Sequence, residues 1–131
     1  MARILVAEDD PSVRELVTRV IQAMGHQVQA VTDGAFALEA LQMEDFDLLL
    51  TDIVMPRLDG IALALKLGKS RPQLPILMMT GYAHERQRAH DLEVLVHRVL
   101  TKPFTVDQFR TALRDALTGS ETEPTRAAGW A

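Results

Sequence analysis

Phe46-Asp47-Leu48-Leu49-Leu50-Thr51-Asp52-Ile53-Val54-Met55-Pro56-Arg57-Leu58-Asp59-Gly60 is the stretch on which the fold turns. From Phe46 to Leu50 it is almost wholly apolar, short, and free of helical spacing, the pattern of a strand buried on both faces. The strand ends at Thr51-Asp52. A loop from Ile53 to Asp59 follows, with Met55-Pro56 inside it, and the spacing beyond predicts a helix from Gly60 to Lys69. Strand, loop and helix in that order form half of a β-α-β unit, whose strands pair in parallel.

The same alternation extends in both directions. Upstream, Arg3 to Ala7 is a first strand, closed at once by Glu8-Asp9-Asp10. Val13, Leu16, Val17, Val20, Ile21 and Met24 then recur at the spacing of one buried helical stripe. Asp10 fits its N-cap, Pro11 its first turn and Gly25 its stop. His26 to Val31 reads as a second strand with Val28 and Ala30 on one side. Thr32-Asp33-Gly34 reads as a turn, and Ala35 to Gln42 as a short helix packing Leu38 and Leu41. Downstream, Arg71-Pro72 breaks the pattern before a fourth strand, Pro75 to Met79, which ends at Thr80-Gly81. A polar helix is expected over 84–92 and a fifth strand from Val94 to Leu100, ending at Thr101-Lys102-Pro103. Thr105 and Gln108 form a capping box for a last helix with Phe109, Leu113, Ala116 and Leu117 inward; Gly119 ends it. Five apolar strands alternating with helices predict an open parallel sheet covered on both faces.

Composition agrees with one domain. The chain has 131 residues, 47% hydrophobic and 24% charged, and no cysteine. Disulfide scaffolds, thiolate zinc sites and cysteine nucleophiles are thereby excluded. No apolar run approaches the ~18 residues of a spanning helix, and the first residues lack a signal-peptide layout, so no membrane association and a cytoplasmic location are expected. The net charge of −4 is unevenly spread: residues 1–60 carry four basic and eleven acidic side chains, residues 61–131 ten and seven. That balance argues against nucleic acid as the main ligand and points to a cation site in the first half.

In open parallel sheets ligands sit beyond the carboxyl ends of the strands. Those ends hold Glu8-Asp9-Asp10, Asp52, Thr80-Gly81 and Lys102. Singly, most have bland roles: Asp10 as a cap, Glu8 or Asp9 as solvated rim, Thr80 as a cap, Lys102 as surface. Asp52 is harder to dismiss, because it follows Leu48-Leu49-Leu50 and should be partly enclosed. Their joint placement carries the weight. Two carboxylates ~4 Å apart repel by on the order of 4 kcal/mol at an effective dielectric of 20, which a hard divalent cation or Lys102 would offset. Mg2+ takes oxygen ligands, commonly one or two carboxylates together with phosphate oxygens, and Glu8, Asp9 and Asp52 supply such a set. Thr80 and Lys102 supply a hydroxyl and a positive charge for phosphoryl oxygens, and Asp52 is the candidate phosphoryl acceptor.

Taken together, Ile4-Leu5-Val6-Ala7-Glu8-Asp9-Asp10-Pro11, Leu50-Thr51-Asp52-Ile53-Val54-Met55-Pro56 with Asp59-Gly60, Met79-Thr80-Gly81 and Thr101-Lys102-Pro103-Phe104 resemble the receiver domain of two-component response regulators. The resemblance covers residues 1 to about 118 and leaves 119–131 as a flexible polar tail. It implies a flavodoxin-like (CheY-like) doubly wound sheet of strand order 2-1-3-4-5. It also implies that Asp52 accepts a phosphoryl group from a histidine kinase or a histidine phosphotransfer protein. By position, Asp9 and Asp52 would bind Mg2+ directly, Glu8 through water and Val54 through its backbone carbonyl, while Thr80 and Lys102 would contact the phosphoryl group. The side of the first helix near Glu15 and Asp10 is where the family meets its phosphodonor. No output domain is expected after residue 119, and output by protein contact or phosphorelay is expected. The wording around Asp52 is similar to single-domain regulators that link a phosphorelay to a protease complex, and Met79-Thr80-Gly81-Tyr82-Ala83 to receivers of hybrid histidine kinases.

Two departures from the family pattern stand out. Val99 occupies the position three before the lysine where an aromatic switch residue is usual, and Leu95-Val96-His97-Arg98 lacks the usual glycine-containing turn. Apolar Val54, flanking the site with Tyr82, should help attacking water little, so a moderately long-lived phosphoform is expected. A phosphatase of the haloacid dehalogenase type needs a second Asp at the position of Val54, and a flavin carrier needs a first loop that welcomes phosphate; Glu8-Asp9-Asp10 repels it. A receiver-like scaffold that is never phosphorylated stands as the third rival. His84, His90 and His97 fit no metal spacing. Arg86, Arg88, Arg98, Arg110 and Arg114 are either a partner-docking face or a solvated one, and Trp130 is either a docking handle or part of a loose terminus.

Overall fold

The computed structural model describes residues 1–81 and 98–119. Five strands, β1 (Arg3–Ala7), β2 (Gln27–Val31), β3 (Leu48–Asp52), β4 (Ile76–Thr80) and β5 (Arg98–Thr101), form one parallel sheet in the order β2-β1-β3-β4-β5. Four helices lie among the described residues: α1 (Pro11–Ala23), α2 (Gly34–Met43), α3 (Gly60–Ser70) and α4 (Val106–Gly119). This is the expected architecture. The helix expected over 84–92, the start of the fifth strand, His84, His90, His97, Arg86, Arg88, Tyr82 and the tail after Gly119 lie outside the described residues.

Alternation along each strand divides the interior into two cores. Leu5 and Ala7 of β1, Leu49 of β3 and Ile76 and Met78 of β4 face α2 and α3, meeting Ala37, Leu41, Leu63, Ala64 and Leu67. Ile4, Val6, Leu48, Leu50, Leu77 and Met79 face α1 and α4, meeting Val17, Val20, Ile21, Phe109 and Leu113. Because β1, β3 and β4 are buried on both faces, their sequences are continuous apolar runs.

Four caps fix where helices begin. Asp10 accepts from Ser12 N–H at 2.8 Å, Asp33 from Phe36 N–H at 2.9 Å and Asp59 from Ala62 N–H at 2.8 Å. The capping box forms as read, with Thr105 N–H on Gln108 Oε1 at 2.8 Å and Gln108 N–H on Thr105 Oγ1 at 3.0 Å. Each cap ends a strand-to-helix connection near the carboxyl edge of the sheet.

The boundaries depart from the sequence reading in small ways. Leu16, expected on the buried stripe of α1, is 44% exposed and turns toward the rim beside the acidic residues. β2 is an edge strand whose Ala30 is exposed, so only Val28 of the expected pair packs beneath α1. Phe46 and His26 precede their strands. Phe46 is buried and His26 Nδ1 accepts from Ala2 N–H at 3.0 Å, which is a local tether and not a ladder bond.

Candidate functional site

The carboxyl edge of the sheet delivers the predicted residues to one place. β1 hands over Glu8 and Asp9, β3 ends on Asp52, β4 ends on Thr80, and Lys102 follows β5 directly. Register sets this convergence, since Asp52 pairs with Met79 and Thr80 with Thr101. Carboxylate oxygens of Glu8, Asp9 and Asp52 lie within 4.8 Å of one another. Glu8 and Thr80 are fully buried, Asp52 is 8% exposed and Asp9 is open to solvent. The cleft above them holds about 730 Å³, with Val13, Leu16, Val54 and Phe104 supplying its apolar margin.

Lys102 joins the cluster. Its Nζ donates to Asp52 Oδ2 at 2.9 Å and to Glu8 Oε1 at 3.1 Å. The other Asp52 oxygen accepts from Ile53 N–H at 2.8 Å, and the other Glu8 oxygen accepts from Asp10 N–H at 3.1 Å. Both buried carboxylates are therefore held at each oxygen, which fixes their planes. Burial pushes the Glu8 carboxyl up to about 7, against the lowering effect of the Asp10 N–H; the Asp52 charge pushes it further and Lys102 opposes. For Lys102 burial disfavours the ammonium, but its hydrogen bond to Asp52 and the two carboxylate charges outweigh that and raise its pKa. Lys102 accordingly stays charged in the site.

Some residues that shape the site have no obvious signature in the sequence. Arg14 Nη1 donates to the carbonyls of Glu8 and Asp9, at 2.9 and 3.3 Å, and ties α1 to the acidic loop. A cation in a helix's first turns runs against the helix dipole, and that anomaly was the available hint. Thr51 Oγ1 donates to the Asp52 carbonyl at 2.9 Å. Gly60 lies so close that a Cβ there would fall 2.2 Å from the Asp52 carbonyl oxygen. Lys102 N–H donates to the Thr80 carbonyl at 2.7 Å, joining two site residues through the backbone.

Other expected features fall elsewhere. Val54 sits on the loop beside the cluster and is 54% exposed. Val99 is partly buried against the α2–α3 core. Glu15 is paired with Arg19 at 2.6 Å, one turn along an exposed face of α1. Arg110 and Asp107 form a loose exposed pair at 3.8 Å on α4. Among the described residues no helix is long and apolar enough to cross a membrane.

The oxygens of Glu8, Asp9 and Asp52 form a hard, anionic donor set. Such a set suits a small divalent cation that keeps part of its water.

Comparison with known proteins gives one consistent result. The family model for the response regulator receiver domain matches residues 4–114. The response regulator receiver protein CpdR of Brucella abortus is 42% identical over 104 residues, 79% of this chain and 87% of that protein. The sensor protein EvgS of Escherichia coli is 38% identical over 110 residues, 84% of this chain but 9% of the sensor, so the chain spans a small part of that relative. Among solved structures, the response regulator TrrA of Thermotoga maritima, in complex with Mg2+-BeF, superposes with a TM-score of 0.80 at 29% identity, covering 88% of this chain and 99% of that one.

Proposed function

This chain belongs to the response regulator receiver family of two-component signalling, and on that premise we propose that Asp52 takes a phosphoryl group from a histidine kinase or a histidine phosphotransfer protein. The observation that carries the reading is the Lys102 ammonium bridging Asp52 and Glu8, at 2.9 and 3.1 Å, within a cluster of three carboxylates. Asp9 and Asp52 would hold Mg2+ directly, Glu8 through water and Val54 through its backbone carbonyl. The receiver TrrA, solved with Mg2+-BeF, supports that assignment by likeness. When bound, the cation supplies charge neutralisation for the phosphoryl oxygens.

The chain's own groups do the rest. A carboxylate oxygen of Asp52 attacks phosphorus, an O–P bond forms, the P–N bond to the donor imidazole breaks, and the nitrogen leaves with the electron pair. Ile53 N–H holds one Asp52 oxygen and so aims the other. Lys102, already within reach, transfers its hydrogen bond to a phosphoryl oxygen, and the Thr80 hydroxyl takes another. With Val99 in place of an aromatic, the displacement of Thr80 and Lys102 must reach the surface through the β4–β5 edge without a ring flip. Output is by contact with a downstream protein, with a protease complex among the candidates, or by relay to another histidine. CpdR, 87% of whose length this chain spans, supports output by contact. EvgS supports the alternative of a receiver serving a hybrid kinase. Receiver modules signal and do not turn over small substrates; slow loss of the phosphoryl group to water is the only hydrolysis expected.

The test is intact-protein mass after incubation with acetyl phosphate and Mg2+. The expected result is gain of one phosphoryl group by the wild type and none by Asp52→Asn. Equal gain in both would move the acceptor to another residue. No gain in a wild type that binds Mg2+ and is also refused by histidine-phosphate donors would favour the unphosphorylated scaffold.

A further inference from the structure

The loop from Ile53 to Asp59 carries Val54 and is fastened at its neck and its tip. At the neck, Gly60 N–H donates to the Ile53 carbonyl at 2.8 Å. At the tip, Gly34 N–H donates to the Leu58 carbonyl at 3.1 Å, an approach so close that a Cβ on Gly34 would fall 2.2 Å from that oxygen. Beside Leu58, Arg57 reaches across to the start of α2. Its Nε donates to Asp33 Oδ2 at 2.8 Å and its Nη2 to Asp33 Oδ1 at 3.2 Å, and the guanidinium stacks over the Phe36 ring, 4.5 Å from its centroid. Asp33 is 4% exposed, and the same carboxylate caps α2. The bidentate Arg57 guanidinium holds the Asp33 carboxyl below its ordinary range.

Arg57 has a φ of 67°, the left-handed region that disfavours side chains and favours glycine. It sits there although a glycine would relieve the backbone. A strained residue persists where its surroundings over-determine it, and three contacts from one guanidinium do that here. The loop so fastened begins one residue after Asp52 and includes the proposed carbonyl donor to the cation.

We infer that Arg57 is a positioning residue for the Asp52 site, clamping the 53–59 loop onto Asp33 and Phe36 so that the Val54 segment is fixed before the cation arrives. The inference rests on the reading of Asp52 as a Mg2+-assisted phosphoacceptor. Loosening the clamp leaves each carboxylate in place but makes cation binding order a loop that is now ordered in advance. Partners that orient metal ligands typically contribute 10–100-fold to affinity, and an effect at the lower end, about 10-fold, is expected one step removed.

The full chain and its Arg57→Gly, Arg57→Lys and Asp33→Asn variants would be titrated with Mg2+ by calorimetry, alongside thermal unfolding in chelator. Arg57→Gly removes the clamp, and the relieved backbone offsets part of the lost Asp33 ion pair, so its unfolding midpoint should fall only modestly. Asp33→Asn keeps a helix-capping oxygen but loses the ion pair. Mg2+ affinity should fall about 10-fold in both and partly recover in Arg57→Lys, and the double variant Arg57→Gly with Asp33→Asn should be no weaker than either single. Affinities within twofold of a wild type that does bind Mg2+ would overturn the inference while leaving the phosphoacceptor reading intact. Losses that multiply in the double variant would also overturn it, because the two residues would then act separately. A wild type that binds no Mg2+ at any accessible concentration would remove the reading and the inference together.

Discussion

Glu8 is where the chemistry of the site and the stability of the chain meet. It is fully buried, its carboxyl is pushed up to about 7 chiefly by that burial, and it shares Lys102 with Asp52. A buried acid with a raised pKa holds its proton in the folded state after the unfolded chain, at 4.5, has lost it. Its effect on stability is therefore most favourable below pH 4.5 and is lost as pH rises through 7, by on the order of 3 kcal/mol for a shift of this size. Asp33 acts in a separate window: its lowered pKa stabilises the fold above 3.8, and that contribution is lost only as pH falls below. In chelator, urea unfolding should show the wild type losing stability between pH 5 and pH 8 while Glu8→Gln loses markedly less. Cation affinity should run the opposite way, falling below pH 7 as Glu8 takes up its proton. If Glu8→Gln shows the same pH slope as the wild type, Glu8 is not the group that titrates.

At the scale of elements, close backbone approach constrains the site as strongly as charge does. The first turn of α3 packs against the end of β3 so tightly that only a hydrogen fits on Gly60 Cα, the Asp52 carbonyl oxygen lying 2.2 Å from where a Cβ would stand. That neighbour is backbone and cannot rotate away, so Gly60→Ala must push α3 off the strand that ends in Asp52. A loss of about 2–3 kcal/mol is expected, of the size that overpacking commonly costs. Phosphorylation by acetyl phosphate should fall with it even under conditions where the variant is folded. A denaturation midpoint within about 0.5 kcal/mol of the wild type would show that the helix start gives way freely, since that is the scatter of innocuous surface changes. Element limits were only partly legible in the sequence. The caps at Asp10 and Thr105 could be read because a capping side chain acts on residues two or three away. Leu16 could not, because its helical spacing matches the buried stripe and only the cleft beside Glu8 and Asp9 makes an exposed leucine useful there.

For the molecule as a whole, topology makes the site predictable while leaving its fine support hidden. The doubly buried strands announce themselves as apolar runs, and parallel order forces their carboxyl ends to one edge, so Glu8, Asp9, Asp52, Thr80 and Lys102 could be grouped from sequence alone. The Arg57–Asp33 pair, 24 positions apart, has no such periodic signal, since it depends on how a loop folds over a helix start. The exposure of Ala30 on β2 was equally hidden, because Val28 and Ala30 alternate whether or not a helix covers both. One consequence belongs to no single residue. Both cores hang on β1 and β3, and both strands end in the acidic cluster, so a cation that joins those ends acts on the cooperative unit and not on a loop. Mg2+ at a hundredfold excess over its Kd should then stabilise the entire chain by about 2.7 kcal/mol, the full linkage value for a ligand that binds only the folded state. A scanning calorimeter would see one transition moving upward as a unit. Asp9→Asn, which removes an exposed carboxylate without disturbing either core, should keep the metal-free midpoint but lose most of the upward shift. A cation-dependent rise in Asp9→Asn equal to that of the wild type would place the ion elsewhere on the molecule. A transition that splits in two on adding Mg2+ would mean that the carboxyl edge folds apart from the cores beneath it.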